Sequence, residues 1–230
     1  MRAYNENEPL FSLHIPKSGG QSFRRVLRTW FGKNLYFHYF DEKQDIYPEK
    51  HNLKDITGRN WQKRTCVHGH FNVSRGAGVY DYYPKASQFI TIMRDPFELH
   101  VSHYFYIKQL GDNAYYQGKS IKHSSSTNVA DFLKKSRSYL LKSFPFELTM
   151  DNFKELLEKH FVYIGIKEEL QTSVDILARK LGFPTCLLEA VNVSTWDEEV
   201  PGDVKEEFIS RHPLEYAIYD FALQHYKNTG

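Results

Sequence analysis

Three short stretches of this sequence combine residue types that could hold an anion and remove a proton. The first is His14-Ile15-Pro16-Lys17-Ser18-Gly19-Gly20-Gln21-Ser22-Phe23. Glycines let a backbone approach phosphate oxygens closely, and free N–H groups at a helix start carry about half a positive charge. Lys17 adds a full cation, and Ser18 and Ser22 add hydroxyl donors. The lysine precedes the glycines, so the G-x-x-x-x-G-K-[ST] order that sets lysine and a Mg²⁺-binding hydroxyl on a triphosphate is absent. The stretch reads as a phosphate cradle without a metal, or as an ordinary strand-to-helix turn with a solvated lysine.

The second stretch is Arg94-Asp95-Pro96, with Ser102 eight positions after the arginine. An arginine at a strand end and a serine two turns into the next helix can face one anion. The alternative is an ion-paired arginine and a tolerated mid-helix serine. Asp95, Pro96 and Glu98 fit a helix start, as N-cap, first residue and capping-box partner, and are left out of the site. The third stretch is His68-Gly69-His70. In an extended segment both rings point the same way, as a base and its neighbour, a metal pair, or solvated loop histidines. Cys66 is the only other ligand type close by in sequence, which leaves a zinc set short, and no metal is expected.

Elements placed around these stretches suit a single site. Phe11, Leu13 and Ile15 alternate with Ser12 and His14 as a strand, and Phe23, Val26, Leu27, Trp30 and Phe31 repeat at helical spacing. The stretch from Gly32 to Arg64 reads as irregular or short helices, and Thr65 to Val67 as a second strand. Gln88 to Met93 and Phe161 to Ile166 are apolar runs expected to be buried on both faces. A helix from Pro96 to about Leu110 should bury Phe97, Val101, Tyr104 and Phe105. Gly111 to Asn128 is a long polar loop with Lys119, Lys122 and His123, and further helices fall at 129–136, 152–160, 168–181, 203–210 and 214–226. Strands alternating with helices predict one α/β domain over residues 1–230, a three-layer parallel sheet flanked by helices. Ligands in such sheets sit at the carboxyl ends of the strands, which puts Lys17, His70 and Arg94 on one edge.

Composition narrows the classes further. With 30 basic and 28 acidic residues the net charge is +2, too near neutral and too interleaved for a nucleic-acid partner. Two cysteines, Cys66 and Cys186, do not make a disulfide scaffold, and two buried free thiols are expected. No apolar run approaches a membrane span and the first ten residues do not resemble a signal peptide, so a cytoplasmic protein is expected unless the chain is a trimmed lumenal domain. Asn-Val-Ser sequons stand at Asn72 and Asn192; a glycan on the first would crowd His70.

HIPKSGGQSF resembles the 5′-phosphosulfate loop of sulfotransferases that use 3′-phosphoadenosine 5′-phosphosulfate (PAPS), and is closest to the carbohydrate-modifying, Golgi-type branch with its H-x-P-K-[ST]-G-G pattern. Gln21 replaces the commoner Thr or Ser, losing a hydroxyl but keeping a donor. Arg94 with Ser102 is similar to the family's 3′-phosphate site, although Leu99 stands where many relatives carry a second arginine. His68-Gly69-His70 resembles the motif of glycosaminoglycan 2-O-sulfotransferases, where a histidine is the base. The resemblance covers Leu10 to Tyr106 by motif; YIGIKEELQTSVDILARKLG and Val191-Asn192-Val193-Ser194 look like a later strand–helix segment and a donor-side loop. It implies a P-loop NTPase-like sulfotransferase fold and sulfuryl transfer from PAPS, without a metal, to a hydroxyl of a glycan or other acceptor. Lys17, Ser18, Gly19, Gly20, Gln21, Ser22, Phe23, Arg94 and Ser102 would hold the donor. His70 would be the base, supported by His68, and Lys17 would also act in catalysis. The competing readings are a nucleotide-dependent kinase or NTPase and a non-catalytic adenylate-binding module. Oligomeric state is left open.

Overall fold

A computed structural model describes residues 1–55, 57–121, 128–188 and 200–228. The chain opens with β1 (Leu10–Leu13), α1 (Gly20–Phe31), β2 (Leu35–His38) and β3 (Cys66–Gly69), then α2 (Val79–Tyr82), β4 (Gln88–Met93) and α3 (Pro96–Leu110). A two-stranded hairpin follows, β5 (Tyr115–Tyr116) and β6 (Lys119–Ser120), and then α4 (Val129–Lys135) and α5 (Phe153–His160). β7 (Phe161–Ile166), α6 (Leu170–Leu181), α7 (Gly202–Arg211) and α8 (Pro213–Lys227) complete the described chain.

The five longer strands form one parallel sheet in the order β2-β3-β1-β4-β7. The chain runs from β1 outward to β2 and β3 on one side, then crosses to β4 and β7 on the other. The carboxyl end of β1 is therefore the switch point, where connections diverge and leave a crevice. One face packs Leu10, Cys66, Ile90 and Val162 against Phe23, Val26 and Leu27 of α1 and Val174 and Leu177 of α6. The other packs Phe11, Leu13, Phe89 and Ile164 against Leu157 of α5 and Ile218 and Ala222 of α8. The result is the expected three-layer α/β architecture.

All six residues of both β4 and β7 are buried, as their unbroken apolar runs require. α3 begins as its sequence implies: Asp95 accepts from the Glu98 N–H at 3.0 Å and Pro96 opens the helix. Glu98 does not complete a capping box; its carboxylate turns to Arg94 at 3.7 Å. Phe97, Val101, Tyr104 and Phe105 are all buried. They pack on Leu133 of α4 and Phe208 of α7, forming a third core beside the sheet.

Several expectations are corrected. β2 lies inside the stretch read as irregular, and β3 runs through His68 and Gly69 rather than stopping at Val67. β1 ends at Leu13, so Ile15 belongs to the following loop. The long polar loop holds the β5–β6 hairpin, with Lys119 exposed; Lys122 and His123 lie outside the described residues, as do Asn192 and the Val191–Ser194 segment. Cys66 is buried but Cys186 is only half-buried, and both are free. No helix among the described residues is long and apolar enough to cross a membrane.

Candidate active site

The loop after β1 has a defined shape. The Ser18 N–H reaches back to the Ile15 carbonyl at 3.3 Å, closing a turn with Pro16 and Lys17 at its centre. Proline suits the first central position of a type II turn, whose second demands positive φ. Lys17 supplies it at φ 67°, a conformation costing an L-residue on the order of 1–2 kcal/mol. Gly19 follows at φ 79° and ends the loop at the start of α1, with no side-chain cap and no acid in the first turn. The first N–H groups of α1 thus have no helical partner, and nothing nearby on the helix neutralises them.

Gly20 carries a different constraint. A Cβ there would lie 1.7 Å from His14 Nε2, so the glycine exists to admit the imidazole. The Ser18 hydroxyl is buried with no hydrogen-bond partner, a deficit of about 1–3 kcal/mol that a ligand oxygen would remove. Gln21 is exposed and Ser22 half-buried. The Phe23 ring points into the core, edge-on to His68 at 6.1 Å, so any role it has toward a ligand does not pass through its side chain.

Lys17 and Arg94 meet although 77 residues separate them. Arg94 Nη1 donates to the Lys17 carbonyl at 3.3 Å, and the Lys17 ammonium sits 4.1 Å above the Tyr106 ring. Burial, with a smaller contribution from Arg94, lowers the Lys17 pKa. Ser102 is buried one helical turn before Tyr106, on the side of α3 that Lys17 reaches. The arginine also makes a loose pair with Glu98 at 3.7 Å, as the structural reading of Arg94 expects.

The histidines form a stack. Ser12 lies opposite His68 in the parallel register, and the ladder continues past β1 where His14 N–H donates to the Gly69 carbonyl at 2.8 Å. The His70 N–H donates to the His38 carbonyl at 2.9 Å, so β3 is held from both sides. The His14 ring lies between those of His68 and His70, with centroids 5.2 and 4.2 Å away and nearly parallel planes.

Their environments differ. His68 is 1% exposed, its Nδ1 2.9 Å from the Ser12 hydroxyl and its Nε2 without a partner; burial pushes its pKa down to about 3. His70 is half-buried at the sheet edge, with Nδ1 2.7 Å from the His14 carbonyl. A carbonyl only accepts, so this contact places the proton on Nδ1 and the lone pair on Nε2. Burial lowers the His70 pKa, opposed by that carbonyl and by Glu42. The ring is neutral at pH 7 and oriented.

Sequence reasoning placed Lys17, His70 and Arg94 on one edge, and each follows the carboxyl end of a strand there, after β1, β3 and β4, while His68 lies within β3. It missed three neighbours. His14 fills the space over Gly20, Tyr39 places its hydroxyl 2.9 Å from His14 Nδ1, and Lys167 lies across Gly19. For His14 a signal existed: with β1 beside β3, the alternation Ser12/His14 matches Cys66/His68/His70 on one face. Tyr39 had none, because the strand before it was not visible. Among the described residues no group of three His, Cys, Asp or Glu could hold a metal ion.

A family model described as "Sulfotransferase family" matches residues 3–185. No curated protein matches the chain. Among solved structures, one described as the crystal structure of mouse sulfotransferase SULT7A1 complexed with PAP is similar over 90% of this chain, at 16% identity and a TM-score of 0.44. The match takes in 65% of the mouse chain, just under two thirds of it.

Proposed function

The chain belongs to the sulfotransferase family, and from that membership we propose that it transfers a sulfuryl group from PAPS to a hydroxyl of a carbohydrate acceptor, with His70 as general base. The observation that carries the base assignment is the 2.7 Å contact of His70 Nδ1 with the His14 carbonyl, which leaves Nε2 free to accept a proton at the carboxyl edge of the sheet. His68 is sealed from an acceptor by burial and serves as a packing support beneath His14.

The loop fits the donor on three independent grounds: an unpartnered buried Ser18 hydroxyl, unneutralised N–H groups at the start of α1, and two cations, Lys17 and Arg94, joined through the Lys17 carbonyl. PAPS would supply a sulfur atom bonded to a good leaving group, the 5′-phosphate of 3′-phosphoadenosine 5′-phosphate (PAP). The acceptor oxygen forms the new O–S bond as the S–O bond to that phosphate breaks, and the hydroxyl proton passes to His70 Nε2. The chain's part is to hold the reactants in line, take the proton and meet charge on the departing phosphate with Lys17 and the α1 N–H groups. General-base catalysis of this kind contributes about 10²–10⁴-fold.

A carbohydrate acceptor rests on the motif likeness to the carbohydrate-modifying branch. The test is transfer of labelled sulfate from PAPS to a panel of acidic and neutral oligosaccharides, by wild type and by His70→Ala. His70→Ala should lose turnover by at least about a hundredfold while PAP affinity stays within about twofold. Turnover that survives removes His70 from the role of base, and transfer only to non-carbohydrate hydroxyls removes the acceptor assignment.

A further inference from the structure

We propose that Lys167 is a second cation of the glycine loop and contacts the 5′-phosphosulfate end of the donor, an inference that rests on the donor assignment above. Lys167 directly follows β7, at the same carboxyl edge as Lys17 and Arg94. A Cβ added to Gly19 would lie 2.8 Å from Lys167 Cδ and 3.2 Å from its Cε. The lysine stem, out to its last methylene, therefore occupies the space that a side chain at position 19 would fill.

The turn bearing this lysine is fixed. The Glu168 carboxylate accepts from the Asp95 N–H at 3.1 Å and from the Tyr219 hydroxyl at 3.2 Å. Leu170 also approaches Gly19, its methyl 3.2 Å from the same Cβ position. The connection after β7 is thereby pinned to both the β1 loop and the start of α3. Among the described residues the Lys167 ammonium has no carboxylate within salt-bridge range, whereas Arg94 has Glu98.

Lys17, by contrast, directs its ammonium to the Tyr106 ring on α3, the helix that carries Ser102. The two lysines thus approach the loop from different elements, Lys17 from the α3 side and Lys167 directly over Gly19. A cation over the first glycine belongs with the phosphate nearest the α1 N–H groups, which is the 5′ end; Arg94 and Ser102 belong to the 3′ end. Methylene packing on glycine holds the stem by van der Waals contact and leaves the charged head for the ligand.

The experiment measures binding of PAP, adenosine 5′-monophosphate and adenosine 3′-monophosphate by wild type, Lys167→Met and Lys167→Arg, by calorimetry or by inhibition. Lys167→Met keeps the stem and removes the charge. It should weaken PAP and the 5′-monophosphate about ten- to a hundredfold while the 3′-monophosphate stays within about twofold, and Lys167→Arg should restore most of the loss. Unchanged PAP affinity in Lys167→Met overturns the proposal, and so does an equal loss for the 3′-monophosphate, which would mark a general field or a structural role. Wild type that binds no PAP overturns the donor assignment as well; wild type that binds PAP with Lys167→Met unchanged overturns only the role of Lys167.

Discussion

Acidification should destabilise this fold before its carboxylates titrate, because it buries histidines in the neutral form. His68 and His38 are 1% and 0% exposed, and burial holds their pKa values at about 3 and about 4, against 6.5 in an unfolded chain. Between those values the unfolded state binds more protons, so stability rises with pH and is lost as pH falls below 6.5. At pH 5 each unfolded imidazole is protonated and each folded one is not, a loss of about 2 kcal/mol per residue relative to pH 7. The two together remove about 4 kcal/mol from a total that for a single domain is about 5–15 kcal/mol. Urea denaturation at pH 7, 6 and 5 measures it. A His38→Phe variant keeps the ring stack on Phe71, centroids 4.4 Å apart, and removes one of these titrations, so its loss should be about 2 kcal/mol smaller. A wild-type midpoint that does not move between pH 7 and 5 refutes the reasoning. So does a His38→Phe profile parallel to that of wild type.

Four further outcomes follow from the site. Lys17→Gly should raise stability by about 1 kcal/mol, by relieving the positive φ, while turnover falls; Lys17→Ala should lose turnover without the gain, and urea titrations with initial rates separate them. Gly20→Ala would ordinarily favour a helix, yet here it must displace the His14 ring, so a net loss of about 1–3 kcal/mol is expected and a stabilised variant would contradict the packing. Arg94→Ala should weaken PAP much more than adenosine 5′-monophosphate; equal losses would make Arg94 only the brace of the Lys17 carbonyl. In the pH–rate profile, the His70 pKa is lowered by burial, so activity should hold as pH falls through 6.5 and decline only below it; a decline centred above 6.5 would contradict that environment.

Much of the frame was legible because burial on two faces leaves an unmistakable record. Gln88–Met93 and Phe161–Ile166 are uninterrupted apolar runs, and both strands have those bounds. The α1 stripe and the Asp95-Pro96 start of α3 were equally plain, since periodicity and capping are local properties. β2 was not legible: Leu35–His38 is four residues long without alternation, and it becomes a strand only because β3 lies beside it. Losing β2 also hid Tyr39, the residue that meets His14. Lys167 looks in the sequence like one charge among Lys167, Glu168 and Glu169, and only the distance to Gly19 separates it from a solvated side chain. Glu98 shows the reverse error: its spacing fits a capping box, but the Asp95 N–H that the box needs is already taken by the Glu168 carboxylate at 3.1 Å.

Calorimetric titration with PAP, set beside ATP–Mg²⁺, is the shortest route to the central assignment. A doubly phosphorylated adenosine should bind without added metal, gripped between the Lys17 loop and Arg94, and ATP–Mg²⁺ should bind far more weakly. Heat from ATP–Mg²⁺ with none from PAP would show that the loop serves a different nucleotide, and the sulfuryl-transfer assignment would fall with it.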